Sequence, residues 1–489
     1  MRKIEILMPL LLAIMFVGCK DDEGVNIKPV AAFKTPVTQL EEGQSLTFTD
    51  LSFDEDGEIV KWEWDFGDGQ KSTERNPVIT FNSIGEYNVL LSVYDNQGAM
   101  NANDFSKVIV VKEKTQSLES PQVLWEYTAP AGFQVAAPAI DHDNNIIFGC
   151  DAKESRGIYN VIVLNSNGSE KWKGIIGDVV RTTPTISDDG TFYLGSNDKY
   201  LYAFNTASNN YIARASVGTT VKYTAPVVDI DGTVYIAVNK KLYAFSASPE
   251  MNKLWEFDCL AVTQSSPVIG KDAIYVCSNS GNAYAVNKQD GSKIWETPFG
   301  KSSSAFQAMG EDGTLYICGN TETGGIVMAL NSSDGSIKWQ NSTAATFDQC
   351  GIVLDNDGRL FVGDNDGDLN CYQQSDGSLV WTFKSQGKIH STPVVTDEGH
   401  ICFGDAAGYF YVVNQEGKSA YKELKLGVDI WSNPVIGPDG LIYVCANIAE
   451  EDNAHEKPGK VYALKITATG AQSTWAMAGC NHLRNGRLK

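Results

Sequence analysis

From residue 122 onward, short apolar runs alternate with polar turns in an order that keeps returning. Aligned on a small–small–Pro–aliphatic pattern six residues before a turn glycine, the segments read AAPAIDHDNNIIF, TTPTISDDGTFYL, TAPVVDIDGTVYI, SSPVIGKDAIYV, AFQAMGEDGTLYI, CGIVLDNDGRLFV, STPVVTDEGHICF and SNPVIGPDGLIYV. The proline position falls at 138, 184, 226, 267, 307, 352, 393 and 434, with Gln307 and Ile352 replacing proline in the fifth and sixth copies. Spacings of 40 to 46 residues, each holding about four strands, predict the blades of a propeller, and eight copies predict eight blades. Upstream, residues 29–112 alternate at period two between Gly and Asp punctuation, the pattern of an antiparallel β-sandwich. The polar segment 113–121 between them reads as a linker.

Positions that agree between copies are built to stack. Two before the proline every residue is small (Ala136, Thr182, Thr224, Ser265, Ala305, Cys350, Ser391, Ser432). Two after it every residue is aliphatic (Ile140, Ile186, Val228, Ile269, Met309, Leu354, Val395, Ile436). Three before it the agreement ends, with Val135, Arg181, Tyr223, Gln264, Ser304, Gln349, His390 and Trp431. Packing does not ask for that set. These residues enter the innermost strand at the mouth of the central channel, and aromatic, guanidinium, imidazole and amide groups there are the lining of a polar-ligand site. The expected ligand-binding set is Arg181, Tyr223, Gln264, Gln349, His390 and Trp431, with Trp431 stacking on the ligand. The competing reading is that these side chains plug the channel against one another.

Composition narrows the partners. Lys and Arg total 39 against 60 Asp and Glu, a net charge of −21 spread along the chain, which repels phosphate backbones and excludes nucleic acid as the expected partner. The N-terminal MRK, the apolar run ILMPLLLAIMFVG and Cys19 have the order of a cleaved signal, residues 1–18, too short to span a bilayer. The tetrapeptide FVGC resembles the lipobox of bacterial lipoproteins, which implies acylation of Cys19 and membrane attachment. Residues 19–28 then form an acidic tether whose KDDE resembles a surface-export tag, implying an outer-membrane lipoprotein exposed on the cell surface. Nine further cysteines show no CxxC spacing, and several end apolar runs, as buried free thiols do.

The strings WEWDFGDG and GEYNVLLSVYDNQG resemble the PKD domain, an immunoglobulin-like module, implying that Trp64 packs the core and that Asp65 and Asp68 organise a turn. A calcium site on Asp54, Asp56, Asp65 or Asp68 is the alternative use of those carboxylates. The signature of VLNSNGSEKW, YAVNKQDGSKIW, MALNSSDGSIKW and CYQQSDGSLVW resembles the repeat of quinoprotein-type (PQQ-like) propellers. It implies that Trp172, Trp255, Trp295, Trp339 and Trp381 dock between blades. The terminal WAMAGCNHLRNGR resembles a closing motif of the same superfamily, and LWEY at 124–127 is expected to complete the last blade.

Three functions remain open. The first is a surface-anchored binding lipoprotein that captures a glycan at the channel mouth, with the PKD domain as spacer. The second is a polysaccharide lyase using Tyr223 or His390 as base and Arg181 against a uronate. The third is a protein-interaction scaffold, since the repeats resemble equally the propeller lipoprotein that assists outer-membrane assembly. No cofactor is expected: adjacent cysteines and haem motifs are missing from the sequence, and a quinone is disfavoured. Calcium has one candidate loop, GDNDGDLN, through Asp364, Asp366 and Asp368.

Overall fold

A computed structural model describes residues 25–103, 105–112, 118–153, 157–303, 305–449, 457–467, 470 and 475–487, so Cys19 and the leader lie outside the described residues. The chain divides into two units, 1–117 and 118–489. Among the described residues every regular element is a strand.

The first unit is a sandwich. Its larger sheet orders the strands Gln39–Glu41, Phe105–Lys112, Gly85–Asp95, Ile59–Asp65 and Lys71–Ser72. Pairing is antiparallel except at Gln39–Glu41, which runs parallel to Phe105–Lys112, a correction to the all-antiparallel expectation. A strand from the start of the domain reaches that edge by a crossover, which permits parallel pairing. Trp64 is 2% exposed among Phe33, Phe48 and Phe66, stacks on Phe66 at 5.9 Å, and donates its indole N–H to Glu74 O at 2.9 Å. As expected, Asp65 accepts from Gly67 N (3.0 Å) and Asp68 from Gln70 N (2.9 Å), shaping the DFGDG turn. Asp54 and Asp56 lie on the preceding bend, where Asp56 accepts from Ile27 N at 3.0 Å.

In the second unit the strands fall into eight sheets among the described residues, one per repeat. Each inner strand is two residues long, for example Val435–Ile436, and is fully buried. The third sheet has three elements rather than four. Its middle run, Val234–Phe245, pairs with the inner strand at one end and with Lys253–Thr263 at the other, and Asn239 at φ 54° turns the chain within it. The strand Gln122–Thr128 pairs antiparallel with Gly459–Lys465, so LWEY does complete the sheet built from the last repeat.

The repeat signature has a physical cause. Trp172, Trp255, Trp295, Trp339 and Trp381 each donate the indole N–H to a turn carbonyl of the next repeat, at 2.8–2.9 Å, and Trp125 does so to Ser166 at 3.0 Å. Five of these rings cover the turn glycine of that neighbour: a Cβ on Gly377 (φ 74°) would lie 2.5 Å from Trp339. Tryptophan and glycine therefore go together because one ring needs the other residue's missing side chain.

The small residues two before the proline do more than fill space. Thr182, Ser265, Ser391 and Ser432 donate hydroxyls to Gly195, Cys277, Gly404 and Cys445 carbonyls at 2.8–2.9 Å, clamping two strands of one sheet. All nine cysteines in the described residues are buried, and burial raises the Cys150 and Cys350 thiols to about 12, which keeps those two protonated and unreactive.

The closing motif circles beneath the inner strands. Backbone N–H groups two after the proline position donate to it in turn: Leu354 to Trp475, Val395 to Ala476, Ile140 to His482, Ile186 to Leu483, Val228 to Asn485 and Ile269 to Gly486, at 2.8–3.2 Å. These donors would otherwise be unpaired along the inner edge. The tail thus closes one end of the channel, and the residues three before the proline stand at the other.

A candidate binding face at the channel mouth

The mouth residues come together as pairs. Arg181 donates Nε to both oxygens of Asp151 at 3.0 Å, with Nη2 at 2.8 Å from Oδ2. The Asp151 side chain is 1% exposed and that of Arg181 17%. Burial opposes the charge on Arg181, but the hydrogen bond and charge of Asp151 outweigh it and hold its pKa above the ordinary value. Tyr223 follows on the next repeat, its N–H donating to Arg181 O at 3.4 Å, and its hydroxyl reaches back two repeats to Gln134 Oε1 at 3.0 Å.

Trp431 and His390 form the second pair, stacked at 4.3 Å between ring centroids with 21° between planes. Trp431 was expected to stack on a ligand; one of its faces is instead taken by the neighbouring imidazole. His390 is 5% exposed, and its Nδ1 lies 3.1 Å from Asp348 O. A carbonyl only accepts, so Nδ1 carries the proton in this contact. Gln264 and Gln349 are half-buried on the same ring of positions, and Ser304 lies outside the described residues.

Two of these residues hold backbone conformations that ordinary side chains avoid. Tyr223 has φ 61° and Gln349 φ 64°. Left-handed backbone at a bulky residue costs about 1 kcal/mol or more, so the surrounding loops impose it. The sequence reading missed Asp151, Gln134 and Asp348, the groups that position Arg181, Tyr223 and His390. Register gave no signal for Asp151, because Cys150 holds the position where the sixth and seventh repeats carry Asp364 and Asp405.

Asp364 has a structural assignment. Its Oδ1 accepts from the N–H groups of Asp366 and Asp368 at 3.0 and 2.9 Å, and its Oδ2 from Asn370 Nδ2 at 2.9 Å. Asp405 caps its turn in the same way through Ala407 and Tyr409, which stand where that loop has Asp366 and Asp368. Turn closure accounts for the acidic string, and among the described residues no group of three His, Cys, Asp or Glu has the arrangement of a metal site.

The arrangement also bears on lyase chemistry. The charge of Arg181 is already balanced by a buried carboxylate, and the ring of His390 is largely covered by Trp431. What the mouth offers is a braced surface of aromatic and amide groups.

Comparison with known proteins agrees with this architecture. A sandwich module followed by a quinoprotein-type propeller is what the fold defines, and a PKD domain matches residues 26–110. The chain belongs to the family described as outer membrane protein assembly factor BamB, matched over residues 159–312 and 323–472. The assembly factor of Yersinia pestis is 25% identical over 267 residues, 51% of this chain and 65% of that protein. Collagenase ColA of Clostridium perfringens is 42% identical over 93 residues, 19% of this chain and 8% of the collagenase. The chain thus spans less than two thirds of either relative's length. Among solved structures, BamB from Moraxella catarrhalis aligns at TM-score 0.55 and 15% identity over 71% of this chain and 98% of that one. A europium-containing methanol dehydrogenase aligns at 0.56 and 13% over 71% and 93%. At these identities the likeness is one of fold.

Proposed function

We propose that this protein is a non-catalytic docking scaffold of the bacterial envelope, held to the outer membrane through Cys19, with the PKD domain as spacer and the channel mouth as the face that holds a polypeptide partner. One observation carries the reading: two of the mouth's polar groups are already engaged, Arg181 with Asp151 and Tyr223 with Gln134, and Tyr223 is held at positive φ. A sugar site needs free donors and acceptors that converge. A braced rim of half-exposed aromatics and amides instead recognises shape, as the anchors of protein interfaces do. Membership in a family described by an assembly factor supports the same reading.

Photo-cross-linking residues placed at Gln264 and Gln349 should capture a discrete envelope protein, and Trp431→Ala should abolish that adduct while lowering outer-membrane protein levels in the host. A glycan panel run in parallel supplies the opposite outcome. If a glycan raises the melting temperature of the protein and Trp431→Ala removes that rise, the mouth captures sugar and the scaffold reading fails.

A further inference from the structure

Immediately before the proline position the repeats carry Ala137, Thr183, Ala225, Ser266, Phe306, Gly351, Thr392 and Asn433. This register faces the channel axis. Phe306 of the fifth repeat packs with Ala225 of the third and with Ala478 of the tail, and residues on non-adjacent repeats meet across the channel. The oxygens of Thr183, Ser266, Thr392 and Asn433 accept backbone N–H bonds from Ala137, Ala225, Gly351 and Thr392 of the preceding repeat, at 3.3, 2.8, 2.7 and 2.6 Å. All four side chains are at least nine-tenths buried. With their oxygens engaged, the three hydroxyl hydrogens and the fully enclosed Asn433 Nδ2 have no acceptor among the described residues. Buried donors left so are costly unless something accepts from them.

A cation lies against the same ring. Arg484 of the tail is 2% exposed and donates Nε to Pro138 O (2.8 Å), Nη1 to Ala478 O (2.9 Å) and Nη2 to Asn433 O and Pro434 O (3.0 and 3.1 Å). Its partners are four neutral carbonyls, and no carboxylate comes within ion-pair distance of it among the described residues. Burial without a counter-charge pulls its pKa down to about 9. A buried charge this isolated is expensive, and the chain's acidic surplus sits elsewhere.

From this ring of donors beside an uncompensated guanidinium, we propose that the closed channel holds a small monovalent anion of the halide class, between the Thr392–Asn433 ring and Arg484. Water can meet the free donors but leaves Arg484, held only by neutral carbonyls, without a counter-charge. The anion supplies acceptance in several directions and the missing negative charge, and so joins the tail to the inner strands. It is independent of what docks at the mouth.

The test uses the full-length protein and bromide. At constant ionic strength, with gluconate replacing bromide, the melting temperature should rise by a few degrees across about a hundredfold range of bromide. Crystals grown in bromide should show an anomalous peak within hydrogen-bonding distance of Asn433 Nδ2. Asn433→Asp keeps an oxygen for Thr392 N–H and places a fixed negative charge beside Arg484, so it should melt in gluconate at or above the wild type and lose the bromide response. Thr392→Val should weaken the response while leaving the fold intact by circular dichroism. A melting temperature indifferent to bromide, an anomalous map with only water in the channel, or an undiminished response in Asn433→Asp would each overturn the proposal.

Discussion

At the scale of single residues, the Arg181–Asp151 pair is the most consequential contact of the mouth. Asp151→Ala leaves a largely buried guanidinium without its partner and should cost about 2–4 kcal/mol in denaturant unfolding, whereas Arg181→Met, which removes the charge and keeps most of the volume, should cost less. Equal losses would show that the pair contributes packing alone. The candidate site was half legible at this scale. Disagreement among copies marked Arg181, Tyr223, His390 and Trp431 as a set, because a ring of related repeats exposes any position that packing does not dictate. Their partners were not legible: Gln134 lies 89 residues from Tyr223 and Asp348 lies 42 from His390, and contacts closed over such distances leave no periodic trace. That His390 would cover one face of Trp431 was hidden for the same reason.

At the scale of elements, the tryptophan–glycine fit makes a paired prediction. Gly377 and Gly358 have nearly the same backbone, φ 74° and 79°, but a Cβ on Gly377 meets Trp339 at 2.5 Å while one on Gly358 meets nothing within 4 Å. Gly358→Ala should cost about 1 kcal/mol of backbone strain, and Gly377→Ala about 2–3 kcal/mol, because the indole must move. Thermal unfolding of the two variants separates strain from clash. The hairpin turns predict a response to acid. Hydrogen bonds from Ser292, Ser336 and Ser378 hold Asp290, Asp334 and Asp376 below the ordinary carboxylate value of 3.8. Their folded pKa values being depressed, the stability they contribute is present above that value and is lost as pH falls through the folded ones. Asp355 and Asp364, raised by burial, oppose this by taking up protons first in the folded state. Replacing the three serines by alanine should therefore flatten the fall of melting temperature below about pH 4 while leaving Asp355 and Asp364 unaffected.

At the scale of the whole molecule, the repeat arithmetic carried the propeller and its closing strand, because a period of some forty residues is recorded in every copy. It did not carry the tail. The WAMAGCNHLRNGR segment occurs once, so nothing in the repeats announced that it would receive inner-strand N–H groups from six of them. Ending the chain before Trp475 should lower the melting temperature and broaden the calorimetric transition, since the sheets lose the one element that touches most of them. An unchanged, equally sharp transition would mean that the outer tryptophans alone hold the ring.

The pairing of Gln122–Thr128 with Gly459–Lys465 also sets a timetable. A strand synthesised at the start of the ring waits for one made more than three hundred residues later, so seven sheets can form while the eighth lacks its outer edge. Until the last repeat arrives that unmated edge is a template on which another copy could pair, so any slowing of the final repeat lengthens the interval in which copies can join edge to edge.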